Sequence, residues 1–418
     1  MLKLLVIADD FTGALDTGVQ FSNQGIKTTV STNTQLFYEN IPQNAEVLVL
    51  NTESRHLSFD QAYNRIKQII EEANKLGIAY IYKKVDSALR GNVSAEVKAI
   101  LDACDQDIIP FLPAYPEINR ILLNGNLYID DLLVTESVFA RDPYEPVTES
   151  NVLKRLFLEA GVEATLIREN QILNEGEGIY IFDSQTNEMM IAQAEMLKQK
   201  NLLGISIGCA GFAKVLANQL FPNSAKENHF LKKPVVVVCG SVNPITKKQI
   251  EYAEKRYVPR ISLDATQLLK FEYWESNQGQ TEIKEYLTLM EDNDLVIFET
   301  LSKKTTKDIK IFGQKNHLST EECRIKIGES LGNLTKKLWH RHEENTFLFT
   351  GGDTLYQSMN VLGVTEIQPI TEIYPGVVLS TIKWQGTNRN VVTKSGGFGS
   401  EKLFIELSTN KEKNKGGN

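Results

Sequence analysis

Short, continuously apolar runs of β-type residues alternate along the chain with longer segments of helical spacing. In the first half the runs are LLVIA (4–8), KTTV (27–30), EVLVLN (46–51), IAYIYK (78–83), DIIPFL (107–112), GIYIFD (178–183) and LGISIG (203–208). In most of them the apolar positions are consecutive, not every second residue, which is the pattern of strands covered on both faces. Helical spacing occupies 58–76, 93–103 and 187–200 between them. The alternation predicts an α/β fold with a largely parallel sheet. Residues 119–150 break the rhythm. Asn124-Gly125 sits between two β-like flanks in NRILLNGNLYID, which predicts a hairpin. The charged, proline-containing FARDPYEPV that follows reads as an ordered functional loop or a simple connection.

The polar, proline-flanked stretch FPNSAKENHFLKKP (221–234) marks a boundary. A second series begins after it, with strands at VVVVCG (235–240), RISL (260–263), DLVIFE (294–299) and TFLFTGG (346–352) and helical spacing at 246–256 and 324–341. The expected organisation is two α/β domains with largely parallel sheets, residues 1–230 and 231–408. The tail 409–418, TNKEKNKGGN, has no apolar anchor and is expected to be disordered.

Composition narrows the function classes. The 418 residues are 42% hydrophobic and 23% charged, enough apolar material for large cores. A net charge of -8 argues against nucleic-acid binding, which needs a Lys/Arg excess to neutralise phosphates. It leaves room for a small anion held by a local cluster of cations. Cys104, Cys209, Cys239 and Cys323 are scattered without a CxxC pair, so neither a disulfide framework nor a zinc site is expected. Met1 leads straight into a strand-like segment without a signal-peptide core, and no apolar run reaches the ~20 residues of a membrane helix. The expected setting is cytoplasmic, without a membrane; a homodimer stays open.

Chemistry concentrates at strand ends. In LLVIADDFTGALDTG (4–18) a buried strand runs into Asp9 and Asp10, and Thr12-Gly13 opens a helix. Ligands of open α/β sheets collect at the carboxyl ends of strands, so both aspartates are aimed at a crevice. Helix capping is the competing explanation, and it accounts for one aspartate better than for two. YKKVDSALRGN (82–92) follows another strand and gathers Lys84, Asp86, Ser87 and Arg90. A lysine, an arginine and a hydroxyl suit a carboxylate, and an aspartate suits a sugar hydroxyl; internal ion pairs in a solvated loop are the bland alternative. Arg55-His56, after EVLVLN, brings another cation to the same edge.

The second half offers glycine loops instead. VVVVCGSVNP (235–244) carries Gly240-Ser241 and then Pro244 at a helix start. FLFTGGDTLYQSM (347–359) carries Gly351-Gly352, with Asp353-Thr354 expected at the N-cap, and VVTKSGGFGSE (391–401) carries Gly396-Gly397. Glycines let backbone amides approach phosphate oxygens, and a helix N-terminus adds about half a positive charge. Neither GxxxxGK[ST] nor GxGxxG is present. The five histidines form no catalytic arrangement, and HExxH and EF-hand patterns are absent. Any metal is expected to arrive with a nucleotide.

Taken in order, IADDFTGALDTG, KKVDSALRGN, PAYPEINRILLNGNLYIDDLLVTESVFARDPYEPVTES, GSVNP, GGDT and TKSGGFG resemble the motifs of the four-carbon acid sugar kinases over roughly residues 4 to 405. The resemblance implies an N-terminal sugar-acid-binding domain and a C-terminal nucleotide-binding domain. It implies transfer of phosphate from ATP, with Mg²⁺, to the terminal C4 hydroxyl of threonate, erythronate or 3-oxo-tetronate. Asp9, Asp10, Arg55, Lys84, Asp86, Ser87 and Arg90 match the acid-binding positions; Ser241, Gly351, Gly352, Asp353, Thr354, Gly396 and Gly397 match the ATP positions. Among the aspartates, Asp86 is the first choice for the general base, ahead of Asp9 and Asp10, and Asp353 is a candidate to meet Mg²⁺. Asp16-Thr17-Gly18 at the end of the first motif is similar to the D-threonate branch. The sequence departs from the family pattern at Ala88, where Thr is usual, at Asn119, where Gly precedes Arg, and at Ser395, where Pro precedes the Gly-Gly pair. The loop 241–244 also lacks a second serine. An NAD-dependent oxidoreductase and a non-catalytic sugar-acid sensor are the rival readings.

Overall fold

The computed structural model describes residues 2–34, 42, 45–142, 145–169, 171, 173, 175–222, 231–240, 243–339 and 345–409. The chain forms two compact units, Met1–Lys226 and Glu227–Asn418.

In the first unit the strands are β1 (Leu4–Ala8), β2 (Thr28–Ser31), β3 (Val47–Asn51), β4 (Tyr80–Lys84), β5 (Ile108–Leu112), β6 (Arg120–Leu123), β7 (Asn126–Ile129), β8 (Leu132–Leu133), β9 (Ala164–Ile167), β10 (Gly178–Phe182) and β11 (Ile205–Gly208). The main sheet runs β2-β3-β1-β4-β11-β5-β10-β9, and its recorded pairings are all parallel. Every residue of β1, β3 and β5 is buried, as their unbroken apolar runs predict. The chain moves from β1 to β2 and β3 on one side, then crosses to β4 on the other. That reversal creates a topological switch point beside β1, where a crevice opens at the strand carboxyl ends. Strands β6–β8 form a separate antiparallel sheet. Its first turn is Asn124-Gly125, with φ of 51° and 74°, and the Asp183 carboxylate accepts both turn amides at 2.8 and 2.9 Å.

The second unit contains β12 (Val235–Cys239), β13 (Arg260–Ser262), β14 (Leu295–Glu299), β15 (Thr346–Thr350), β16 (Glu366–Tyr374), β17 (Val377–Trp384) and β18 (Thr387–Lys394), in the order β13-β14-β12-β15-β18-β17-β16. Pairing is parallel from β13 to β18 and antiparallel among β18, β17 and β16. This antiparallel ending goes beyond the sequence expectation. Its turns fall at Pro375-Gly376 and Gln385-Gly386, where Gly376, Gln385 and Gly386 all have positive φ. Val235, Val237, Ile297, Leu348, Leu379 and Val392 meet in one core cluster. That burial, about 1.5–3 kcal/mol per large aliphatic side chain, fixes the strand ends that carry the glycine loops. Among the described residues no helix is long and apolar enough to cross a membrane. The tail beyond Thr409 and most of the 221–234 stretch lie outside the described residues.

Candidate active site

β1, β3 and β4 are adjacent and in register, with Ala8 opposite Asn51 on one side and Lys84 on the other. Asp9-Asp10, Arg55 and the Lys84–Arg90 segment therefore leave the sheet at one edge. The three sequence motifs meet there.

Asp10 is the N-cap of the helix Phe11–Ser22, its Oδ1 accepting the Gly13 amide at 3.1 Å. Capping thus accounts for one aspartate of the pair. The same oxygen accepts Arg55 Nη2 at 2.7 Å, while Arg55 Nε donates to Asp9 Oδ2 at 2.7 Å. Arg55 Nη2 also lies 3.7 Å from Asp86 Oδ1. Asp86 is held in a fork by Arg90, Nε at 2.9 Å and Nη2 at 3.0 Å, and its Oδ2 accepts the amides of Ala88 and Arg90. Arg90 Nη1 reaches Asp142 Oδ2 at 3.1 Å. Phe139 lies 5.2 Å from the Arg90 guanidinium and 5.0 Å from that of Arg120, and Arg120 Nη1 donates to Ser87 Oγ.

The lattice leaves two groups over. Lys84 is 4% exposed, and among the described residues its ammonium donates no recorded hydrogen bond. Asp9 Oδ1 is buried and has no partner there either. Lys84 has the charges of Asp9, Asp10 and Asp86 around it, so what the two groups lack is hydrogen-bond partners, which an anion and a hydroxyl donor would supply. Gly13 makes space for this arrangement: a Cβ there would stand 2.5 Å from Asp10 Oδ1 and 2.7 Å from Lys84 Nζ.

The aspartates are differentiated by their surroundings. Burial alone would raise Asp86, but the guanidiniums of Arg90 and Arg55 hold its carboxyl well below the usual range. Burial also opposes Asp9, where Arg55, Lys84 and Lys83 prevail and lower it. At Asp10 burial wins over Arg55, helped by the neighbouring Asp9 charge, and the carboxyl is raised.

A supporting layer lies beneath. Lys83 points away from Lys84, as strand alternation requires, and its Nζ sits 3.1 Å from Glu96 Oε2. Glu96 also accepts Ser54 Oγ at 2.5 Å. Asn92 Nδ2 donates to the carbonyls of Ser54, Arg55 and Leu57 at 2.9, 3.3 and 2.7 Å. Arg155 ties the carbonyls of Leu89 and Gly91. His56, next to Arg55, hydrogen-bonds Glu145, and an adjacent cleft of about 390 Å³ is lined by Arg55, Asn92, Glu145 and Arg155. Two of the departures from the family pattern, at Ala88 and Asn119, fit the fold without strain. Ala88 is fully buried, and Asn119 takes the left-handed conformation (φ 54°) that asparagine tolerates.

In the second unit, Cys239, Thr350 and Lys394 are neighbours in register at the ends of β12, β15 and β18. Gly351, Gly352, Asp353, Thr354, Gly396 and Gly397 follow these strands at the same edge. Ser241 lies outside the described residues. The N-cap of the helix Gly352–Leu362 is Gly351, not the expected Asp353-Thr354. Its φ of 90° and ψ of 132° suit glycine alone, so the strand enters the helix without room for a capping side chain. Asp353 lies in the first turn, its Oδ2 2.7 Å from Arg324 Nη1. Thr354 Oγ1 donates back to the Thr350 carbonyl at 3.2 Å.

Sequence reasoning did not single out Glu96, Asn92, Arg155, Asp142, Arg120 or Lys394. Asn92, Arg120, Asp142 and Lys394 lie inside the motifs quoted above; Glu96 and Arg155 carry no local signal.

A family model described as "Sugar-binding N-terminal domain" matches residues 4–216, and one described as "Nucleotide-binding C-terminal domain" matches residues 236–404. The chain is 26% identical over 425 residues to the D-threonate kinase of Salmonella typhimurium, covering 97% of each protein. It is 24% identical over 426 residues to the 3-oxo-tetronate kinase of Actinobacillus succinogenes, covering 96% of this chain and 98% of that protein. A crystal structure from Salmonella typhimurium LT2 shares the fold, with a TM-score of 0.80 at 22% identity over 98% of this chain and 99% of that one. With both halves matched in order, the chain belongs to the four-carbon acid sugar kinase family and is an ATP-using kinase.

Proposed function

We propose that the protein transfers the γ-phosphoryl group of ATP to the C4 hydroxyl of a four-carbon sugar acid, with D-threonate preferred over 3-oxo-tetronate, L-threonate and D-erythronate. The observation that carries the acid-binding half is the buried Lys84 ammonium, left among the described residues without a hydrogen-bond acceptor beside aspartates that Arg55 and Arg90 hold in place. Kinase membership displaces the oxidoreductase reading. ATP use and four free thiols fit work in the reducing cytoplasm.

In this reading Lys84 receives the carboxylate, together with Arg120, whose guanidinium among the described residues donates to Ser87 alone. Arg55 and Arg90 are engaged by aspartates and serve to hold those carboxylates in place. Asp10 is the general base that accepts the C4 hydroxyl proton. A carboxyl held as low as that of Asp86 has little affinity for a proton, whereas burial gives Asp10 more. Asp9 Oδ1 accepts a second sugar hydroxyl. The amides of Gly352–Thr354 and of Gly396 and Gly397 receive the ATP phosphates; that of Gly351 already donates to the Lys394 carbonyl at 2.8 Å.

Among the described residues no cluster of His, Cys, Asp or Glu could hold a metal alone. In this reading Mg²⁺ would come on the phosphates with Asp353 as its protein carboxylate, where it would neutralise phosphate charge. Catalysis is then positioning and electrostatics.

The assignment of the two halves is tested by a pair of variants. Lys84→Met raises KM for the acid about tenfold or more while KM for ATP stays put, the usual effect of losing a charge-assisted contact. Gly352→Val does the reverse, because a branched side chain blocks approach of a phosphate to the backbone. Steady-state kinetics with each substrate varied in turn reads both; the opposite pairing of effects would reverse the assignment.

A further inference from the structure

Lys394 closes β18, and its side chain is fully buried with no carboxylate beside it. Its Nζ donates to Thr246 Oγ1, to the Ser395 carbonyl and to the Gly396 carbonyl, each at 3.1 Å. Thr246 Oγ1 adds a 3.0 Å bond to the same Gly396 carbonyl. Two successive carbonyls are thus drawn inward onto one ammonium. The peptides here are trans, so each inward carbonyl forces the amide of the next residue to point away. Those amides belong to Gly396 and Gly397, and among the described residues neither donates a recorded hydrogen bond. A Cβ on Gly397 would meet nothing closer than Asn243 Nδ2 at 3.8 Å. Consecutive outward amides over an open approach make an anion nest, here with a cation at its base.

Building on the nucleotide-site reading above, we infer that Lys394 is the positioning residue of that site: its ammonium shapes the Ser395–Gly397 turn into a phosphate nest and supplies the charge that the phosphate neutralises. Burial presses Lys394 down to about 8. Among the described residues Cys239, on β12, is the titratable group that faces it, and it opposes the effect of burial. A phosphate over the nest favours the protonated form and raises that value. Nucleotide binding near pH 8 therefore takes up a proton, and affinity falls as pH rises.

The test is calorimetric titration of the full-length protein with Mg²⁺-ADP from pH 7 to 9, in buffers of differing ionisation enthalpy. The wild type is expected to bind about tenfold more weakly at pH 9 than at pH 7, since roughly nine-tenths of the unliganded lysine is then neutral, with net proton uptake. Lys394→Met is expected to lose at least tenfold in affinity at pH 7 and to lose the pH dependence, with acid binding kept; Lys394→Arg restores affinity at pH 9. A flat wild-type profile without proton uptake overturns the inference without any need for a folded variant. So does normal binding by Lys394→Met. Either result leaves the nucleotide assignment standing, whereas failure of the wild type to bind Mg²⁺-ADP at any pH removes the assignment itself.

Discussion

Asp10→Asn is expected to lower kcat by roughly 10²–10⁴, the usual worth of a positioned general base, with ATP affinity unchanged. Asparagine keeps an oxygen for the Gly13 amide and is itself a favoured N-cap, so the helix start survives. Arg55 keeps Asp9 and Asp86 as partners. The variant therefore removes the base and little else. Because burial raises the Asp10 carboxyl, the wild-type rate should fall in acid as that group protonates, on a limb above the ordinary aspartate range. Asp86→Asn should behave differently. It loosens the grip on Arg90 and Arg55 and acts chiefly on KM for the acid. Rates measured at saturating acid separate the two; a near-normal kcat for Asp10→Asn would return the base role to Asp86 or Asp9.

Gly13→Ala should be nearly as damaging to activity and almost silent in stability. The added methyl would stand 2.5 Å from Asp10 Oδ1 and 2.7 Å from Lys84 Nζ, closer than van der Waals contact allows. Both groups must move, and displacements near 1 Å in a reacting site cost about 10²-fold in rate. That loss is expected in kcat/KM for the acid. Alanine favours a helix over glycine by about 1 kcal/mol, which offsets the disturbed cap, so the melting temperature should change little. Thermal melts run beside the kinetics distinguish this from general unfolding: a large drop in melting temperature would mean that Gly13 is needed for the fold and not for the site.

The parts of the site visible in the sequence are those set by strand ends. Asp9, Asp10, Lys84 and Asp86 each follow a continuous apolar run closely, and parallel register brings such positions together whatever the intervening helices do. The hairpin at Asn124-Gly125 was legible for a similar reason, since its turn demands positive φ at both residues. The partners that decide the electrostatics were not legible. Arg90 meets Asp142 across 52 positions, Ser54 meets Glu96 across 42, and Arg120 meets Ser87 across 33. No local pattern encodes such distances. The ranking of the aspartates turns on the same distant partners: Asp86 stands first by its conspicuous motif, while the two guanidiniums that lower its carboxyl, and on which the proposal for Asp10 rests, come together only in the fold. In the second unit β16 and β17 carry no clear strand pattern, because Glu366–Tyr374 mixes polar and apolar residues and is mostly half-buried, and the Gln385-Gly386 turn lacks the usual asparagine or aspartate.

Phosphorylation of a four-carbon acid at C4 can be read from turnover itself. Purified protein is supplied with Mg²⁺-ATP and, separately, D-threonate, L-threonate, D-erythronate and 3-oxo-tetronate, and kcat/KM is determined for each, with the phosphorylated carbon identified by NMR. These acids differ in one hydroxyl configuration or in a ketone at C3. A buried hydrogen-bonding site discriminates strongly among them, because the wrong isomer leaves polar groups unpaired. The account predicts turnover with phosphate on the C4 oxygen and D-threonate the best substrate. A tenfold advantage for another of the four would contradict the choice of D-threonate, and absence of ATP-dependent phosphorylation of all of them would contradict the account itself.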